Sequence, residues 1–309
     1  MCQDNEGRRG SRRGHHQSGR PAVRSRLKAF NLEKTQQITI TRFTSGEASI
    51  IEDEVARERA LTIILNGEEL VTLLCSPGEF DYLAAGYLAS EDIISTAADI
   101  KNLSVNEVTA VVRVETVGKV STELTYKRVI SSGCGRGAAL YSAADVNSLN
   151  PVTSKLNVTP AQIYKLVRDF QHHSELFKET GGVHSAAIAE PVGIEFFTED
   201  IGRHNAVDRL FGRAILGGLD FSSRMLLTSG RISSEIVSKV ARRNVGLLIS
   251  RSAPTSSAIE LADRLNITLV GFVRGERMNV YTNPGRIVGG QQAPGGGAAM
   301  ASSTGTQGP

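Results

Sequence analysis

Cysteine is scarce in this chain of 309 residues, which holds three: Cys2, Cys75 and Cys134. They are too few for a disulfide framework or a four-thiolate zinc site, and they indicate a reducing compartment and a cytoplasmic protein. Long apolar runs are lacking as well. Pieces such as Leu61 to Leu65 fall far short of a membrane span, and the arginine pairs at 8, 9, 12 and 13 precede no apolar segment of an export signal. No membrane is expected as a partner. Nor does one sign of charge dominate, since 35 Lys and Arg face 32 Asp and Glu for a net +3. The basic surplus is local: residues 1–28 hold eight Arg or Lys against Asp4 and Glu6, without an aromatic side chain among them. A tail of that kind is no folded basic face, so nucleic acid is not expected as a partner either.

The ends and the middle differ in kind. A basic tail over 1–30 and a Gly-rich tail over 288–309 cannot bury apolar surface, and both are expected to be disordered. Between them the pattern divides near residue 150. Over 37–150 alternating segments predict strands at Ile38–Phe43, Leu61–Leu65, Leu70–Leu74 and Val108–Val117, with Asn66-Gly67 as a hairpin turn. Asp81–Ile94 has helical spacing. Over 151–287 a helix starts after Thr159-Pro160, and strands at Met225–Thr228, Val245–Ser250 and Ile267–Val273 alternate with helices at Ile232–Ala241 and Ser257–Leu265. Such alternation predicts an α/β fold with a mostly parallel sheet, preceded by a smaller β-rich part.

In a parallel sheet the ligand crevice lies beyond the carboxyl ends of the strands. Here those ends run into Ser229-Gly230-Arg231, into Ser250-Arg251-Ser252-Ala253-Pro254-Thr255-Ser256, and into Arg274-Gly275-Glu276-Arg277. Small residues admit backbone amides to a ligand, hydroxyls cap the next helices, and guanidinium groups grip anionic oxygens, which together suggest an anion or nucleotide pocket. Ordinary loops use the same residues. A second cluster, Glu199 to Asp208, places His204 and Asp208 one helical turn apart. His204 then either moves a proton or binds phosphate with Asp208 orienting its ring, or simply caps the helix start. His184, after Thr180-Gly181-Gly182-Val183, has the same two readings. Metal binding lacks the spacing it needs. The third feature is Ser131-Ser132-Gly133-Cys134-Gly135-Arg136-Gly137, where a thiol among glycines beside Arg136 has the setting of a reactive thiolate. Cys75, between Leu74 and Ser76, reads as a buried small hydrophobe.

These segments resemble the formate dehydrogenase accessory sulfurtransferases, the FdhD/NarQ family, over about residues 40–287. Five motifs carry the likeness: Thr180 to His184, Glu199 to Asp208, Ser229 to Glu235, Ser252 to Ser256 and Gly271 to Gly275. The resemblance implies a cytidine-deaminase-like core and a homodimer. It implies a cytoplasmic sulfur carrier that takes sulfur from a cysteine desulfurase as a persulfide. The sulfur would pass to the molybdenum cofactor, bis-molybdopterin guanine dinucleotide, bound as cargo before insertion into formate dehydrogenase. It places the persulfide on Cys134 and the cofactor contacts on Phe272, Val273, Arg274, Gly275, Glu276 and Arg277. With the strand-end residues Ser229, Gly230, Arg231, Ser252 and Thr255, and with His204, these make the expected site. No zinc is expected: His184 is followed by Ser185-Ala186 where a deaminase needs a glutamate, and the chain has no Pro-Cys-x-x-Cys. The family loop often reads Cys-Gly-x-Cys-Gly, whereas this chain has one thiol, and one persulfide suffices for relay. The alternative is a non-catalytic chaperone that binds and delivers the cofactor. Removing residues 1–28 or 289–309 should leave the melting temperature unchanged, and a large drop in a thermal melt would show that either tail packs on the core.

Overall fold

Two-residue turns set the N-terminal half. The computed structural model describes residues 33–118 and 149–289, so the basic tail, the Cys134 loop and most of the Gly-rich tail lie outside the described residues. β1 (Thr35–Thr44) and β2 (Glu47–Ala56) pair antiparallel around Ser45-Gly46, whose φ angles of 52° and 93° match the right-handed twist of a hairpin. Asn66-Gly67, at 51° and 92°, turns β3 (Arg59–Leu65) into β4 (Glu68–Cys75) in the same way. With β5 (Ile100–Asn106) and β6 (Val111–Thr116) these form a four-stranded sheet of order β4-β3-β6-β5. The strand expected from Val108 starts at Val111, because Ala110 at φ 51° belongs to the preceding turn. Cys75 is fully buried, as expected.

The helix expected over Asp81–Ile94 is α1 (Phe80–Ser90). In the C-terminal half α2 (Pro160–His173) starts at a capping box, with Thr159 Oγ1 accepting from Gln162 N (3.3 Å) and Gln162 Oε1 accepting from Thr159 N (2.8 Å). After α3 (Glu175–Thr180) come β7 (His184–Glu190), β8 (Gly193–Asp200) and α4 (Arg203–Leu216). Next are β9 (Met225–Thr228), α5 (Ser234–Arg242), β10 (Leu247–Ser250), α6 (Ser256–Arg264), β11 (Thr268–Arg274) and β12 (Arg277–Thr282). Ser233 and Thr255 cap α5 and α6 with their hydroxyls.

The six-stranded sheet has the order β12-β11-β10-β9-β7-β8. It is mixed and corrects the expectation of a mostly parallel sheet. β9-β10 and β10-β11 are parallel, whereas β7-β8, β7-β9 and β11-β12 are antiparallel. The reason lies in the connections: Pro191-Val192 and Gly275-Glu276 are too short for a crossover, and only a hairpin fits them. Both faces of the sheet are covered. Leu226, Leu248 and Leu269 point into one core with α1, α4 and α5, and Met225, Leu227, Leu247 and Ile249 into the other with α2. Burial on both sides explains why these strands are continuous apolar runs rather than alternating ones. The first core also takes in Leu61, Ile63 and Val112 of the four-stranded sheet, so it continues from one half of the chain into the other. No helix among the described residues is long and apolar enough to cross a membrane.

α1 and α4 cross where both carry glycine. A Cβ on Gly86 would lie 1.6 Å from the Asp208 carbonyl oxygen, and one on Gly212 1.8 Å from that of Tyr82, contacts that only backbone movement could relieve. Gly86→Ala or Gly212→Ala should therefore cost about 3 kcal/mol, a melting shift of about 6–12 °C. Gly193, whose added Cβ would meet nothing within 4 Å, is the control and should tolerate alanine.

Candidate functional site

The loops beyond β9, β10 and β11 are joined by their own backbone. Ser250 Oγ donates to the Gly230 carbonyl (2.7 Å) and accepts from Ser252 N (3.0 Å). Ile232 N donates to the Ala253 carbonyl (3.1 Å), and Thr255 N to that of Ile232 (2.9 Å), a parallel bridge that extends the sheet by one residue. Phe272 N then reaches the Ser252 carbonyl (3.2 Å). Gly271 permits this closeness, since a Cβ there would lie 3.1 Å from that same oxygen. The structure thus brings together Ser229, Gly230 and Ser252, named from the strand ends, with Phe272, named from the resemblance.

Phe272 stands at φ 53°, in the left-handed region that an aromatic residue rarely adopts. A shift of register between Gly271 and Arg274 accompanies it, so β11 bulges as it leaves the sheet. Val273 is buried by the bulge, while Arg274, Gly275, Glu276 and Arg277 form the exposed tip of the β11-β12 hairpin. Arg274 and Arg277 are direct cross-strand partners. Arg231 is also exposed. Thr255 is occupied in capping α6, its Oγ1 accepting from Ala258 N at 3.3 Å.

His184 and His204 meet at the same edge. Ser229 Oγ accepts from Ser185 N (2.9 Å) and lies 3.3 Å from His184 Nδ1. Arg203, the first residue of α4, runs across Gly230, where a Cβ would sit 3.0 Å from its own Cβ. Arg203 stands directly before His204 in the motif, and the helical spacing of His204 and Asp208 does not reveal it. His204 Nε2 lies 3.2 Å from Glu235 Oε2 and 3.5 Å from Ser233 Oγ. Burial, with the Lys239 and Arg203 cations behind it, drives His204 down to about 2, so its contact with Glu235 is a hydrogen bond from a neutral ring. Burial and Arg203 lower His184 too.

Asp208 does not orient His204, which corrects that expectation. It is a turn further along α4 but turns inward, accepting from Lys239 Nζ at 2.7 and 2.8 Å and from Ser90 Oγ at 2.5 Å. Lys239 of α5, 5% exposed, needs a carboxylate more than a partly exposed imidazole does. The remaining acids of the motif are structural in the same sense. Glu199 accepts from Leu176 N and Phe177 N, both at 3.2 Å, at the start of α3, and Asp200 binds the buried Arg209 at 2.7 Å. No three His, Cys, Asp or Glu side chains among the described residues are grouped to hold a metal ion. The site is therefore a strand-end crevice with neutral imidazoles inside and guanidinium groups outside, suited to recognising a polyanion. Cys134 lies outside the described residues.

Comparison with known proteins agrees in extent. The model of the FdhD/NarQ family matches residues 56–288. The sulfur carrier protein FdhD of Bacillus subtilis is 41% identical over 250 residues, covering 80% of this chain and 95% of that protein. That of Listeria innocua is 41% identical over 252 residues, covering 80% and 97%. A Desulfotalea psychrophila protein, solved as a candidate formate dehydrogenase accessory protein, superimposes with a TM-score of 0.69 at 25% identity. It covers 82% of this chain and 99% of its own.

The neutral state of His204 has a measurable consequence. The unfolded chain protonates this ring near 6.5 and the folded one only near 2, so the unfolded state binds more protons between those values. Stability is complete above pH 6.5 and is lost as pH falls, by up to about 2 kcal/mol at pH 5. His204→Gln, which keeps a neutral hydrogen-bonding group, should flatten that slope in denaturant titrations at a series of pH values. Equal slopes in the two proteins would show a ring that is charged when folded.

Proposed function

This chain belongs to the FdhD/NarQ family, and from that premise we propose that it is a sulfur carrier for formate dehydrogenase maturation. It takes sulfur from a cysteine desulfurase, holds it as a persulfide on Cys134, and passes it to bis-molybdopterin guanine dinucleotide before the cofactor enters the dehydrogenase. It works in the cytoplasm as a homodimer. The cofactor is cargo, and the crevice recognises its phosphates.

One observation carries the binding half of this reading. Arg274 faces Arg277 directly across the hairpin tip, and two like charges so placed destabilise the pair unless an anion lies over them. The forked guanidinium suits a phosphate, and the strained Phe272 beside it holds the hairpin away from a straight strand. Behind the tip, the Ser229 and Ser252 loops supply hydroxyls and, at the first turns of α5 and α6, the positive ends of two helix dipoles.

The sulfur half rests on the thiols. Cys75 is excluded as a carrier: it is fully buried, and burial pushes its thiol up to about 12. Cys134, among glycines and two residues before Arg136, is the thiol in a cation-flanked sequence. Its thiolate attacks the outer sulfur of the donor's persulfide. The donor's S–S bond breaks, its cysteine leaves as thiolate, and the new persulfide forms on Cys134 with no net oxidation or reduction.

The alternative is the chaperone reading, in which the crevice carries cofactor and Cys134 only packs. Mass spectrometry of Cys134 after incubation with a desulfurase and cysteine separates the two, since only a carrier becomes persulfidated. Cys134→Ser should abolish maturation of formate dehydrogenase, while Cys75→Ser keeps the transfer chemistry. Full maturation by the Cys134 variant ends the relay reading. Arg274→Ala should weaken GDP binding by about one to two decades with little change in melting temperature, as measured by calorimetric titration alongside thermal melts.

A further inference from the structure

The amino ends of β9, β10 and β11 form the sheet edge opposite the Ser229 and Ser252 loops, and a surface cleft of about 580 Å³ opens there. Its walls come from residues 154–157, from Asn266 just before β11, and from 283–286 after β12. Gly246, just before β10, marks the spot: a Cβ on it would lie 2.7 Å from Ser154 Cβ and 2.8 Å from Arg286 Nε.

Arg286 lines this cleft and is only 8% exposed. Its Nε and Nη2 donate to the Ser154 carbonyl (3.2 and 3.1 Å), and its Nη1 donates to Thr268 Oγ1 (3.3 Å). All of these acceptors are neutral. Arg209 and Lys239, more deeply buried still, each hold a carboxylate at 2.7 Å. Nothing comparable answers Arg286 among the described residues, and burial lowers its pKa with no acid to raise it again. A guanidinium has five N–H groups, so two of them and an uncompensated charge remain for the cleft. Lys155 stands exposed on the rim. Asn266 and Asn283 spend their amide N–H on backbone carbonyls, among them Val152 at 3.0 Å and Ile267 at 3.2 Å, which leaves charge recognition to the two cations.

We propose that this cleft binds a compact oxyanion, a phosphate or carboxylate group on a small molecule, with Arg286 as the buried counter-charge and Lys155 as the second contact. Burying a cation without a partner is costly, and an oxyanion in the cleft removes that cost. The volume lies within the range of small-molecule sites and exceeds what a bare ion needs.

The test is calorimetric titration of inorganic phosphate, and separately of succinate, into the full-length protein and into its Lys155→Gln and Arg286→Lys variants. Saturable binding is expected for the wild type. Lys155→Gln should weaken it about tenfold without changing the melting temperature, because Lys155 is exposed and a single charged contact is removed. Arg286→Lys keeps the charge and loses the fork, so it should bind more weakly still wherever it folds, and the lysine variant decides the matter if it does not. A preference for phosphate identifies a phosphorylated ligand, and a preference for succinate a carboxylate. The proposal is overturned if neither anion binds saturably, if Lys155→Gln binds as the wild type does, or if binding is lost in Arg274→Ala instead.

Discussion

Asp200 is the carboxylate on which the two halves of the chain depend. It is wholly buried at the end of β8 and accepts from four donors: Arg209 Nε (2.7 Å), Gly202 N (2.9 Å), Asn205 Nδ2 (3.0 Å) and Ser76 N (3.1 Å). Arg209 in turn donates to the carbonyls of Ser76, Gly78 and Glu79, the turn between β4 and α1. Every lone pair that burial strips of water finds a donor, the condition under which a buried ion pair repays its desolvation. Removing either partner would strand the other at a cost of about 3–5 kcal/mol. The pair fixes more than an interface. Gly202 is bound to Asp200 and Arg203 follows it, so the carboxylate sets where α4 begins and hence where Arg203 and His204 meet the strand ends.

The same segment shows how one motif divides its work. Glu199, Asp200 and Asp208 all turn inward, onto the start of α3, the β4-α1 turn and α5, whereas Arg203 and His204 remain at the crevice. Two helices then close on each other through Gly86 and Gly212, near enough that Asp208 reaches Ser90 on α1. The loops of the site are held both by backbone hydrogen bonds and by the hydroxyls of Ser229, Ser250 and Thr255.

What could be read from the sequence follows the range of the interactions involved. The three central strands were legible because burial on both faces leaves short apolar runs, and the two helices between them were placed to within two residues at their starts, at Ser234 and Ser256 where Ile232 and Ser257 were expected. The order of those strands placed Ser229 and Ser252 at one edge, where the structure also has them, whereas Phe272 entered through the resemblance. β7, β8 and β12 were not read, although the two-residue links Pro191-Val192 and Gly275-Glu276 fit only hairpins, and with them went the antiparallel flanks of the sheet. Asp208 was misread because its partner is distant in sequence. Helical spacing gives its distance from His204 but says nothing of Lys239, thirty-one residues on, which claims it. The role of Cys134 came from resemblance and from its glycine-rich surroundings, and it falls outside the described residues.

Charge at the crevice is a matter of where the charged side chains stand. The chain as a whole carries 35 basic and 32 acidic side chains, which by itself predicts no affinity for anions. Yet Asp200 and Asp208 are consumed by buried Arg209 and Lys239, and Glu199 by backbone amides. Arg231, Arg274 and Arg277 stay exposed at the strand ends, with Glu276 as the acid on the hairpin tip. Each buried ion pair removes one charge of either sign, so the positive edge comes from the placement of these three arginines against Glu276. Field strength at that edge depends on local imbalance within about a Debye length, roughly 8 Å at physiological salt, and not on net charge. The neutrality of His184 and His204 belongs to the same economy, for two more cations packed behind Arg203 would repel it, whereas neutral rings can hydrogen-bond beside it and leave the positive field to the guanidinium groups that solvent and ligand can reach.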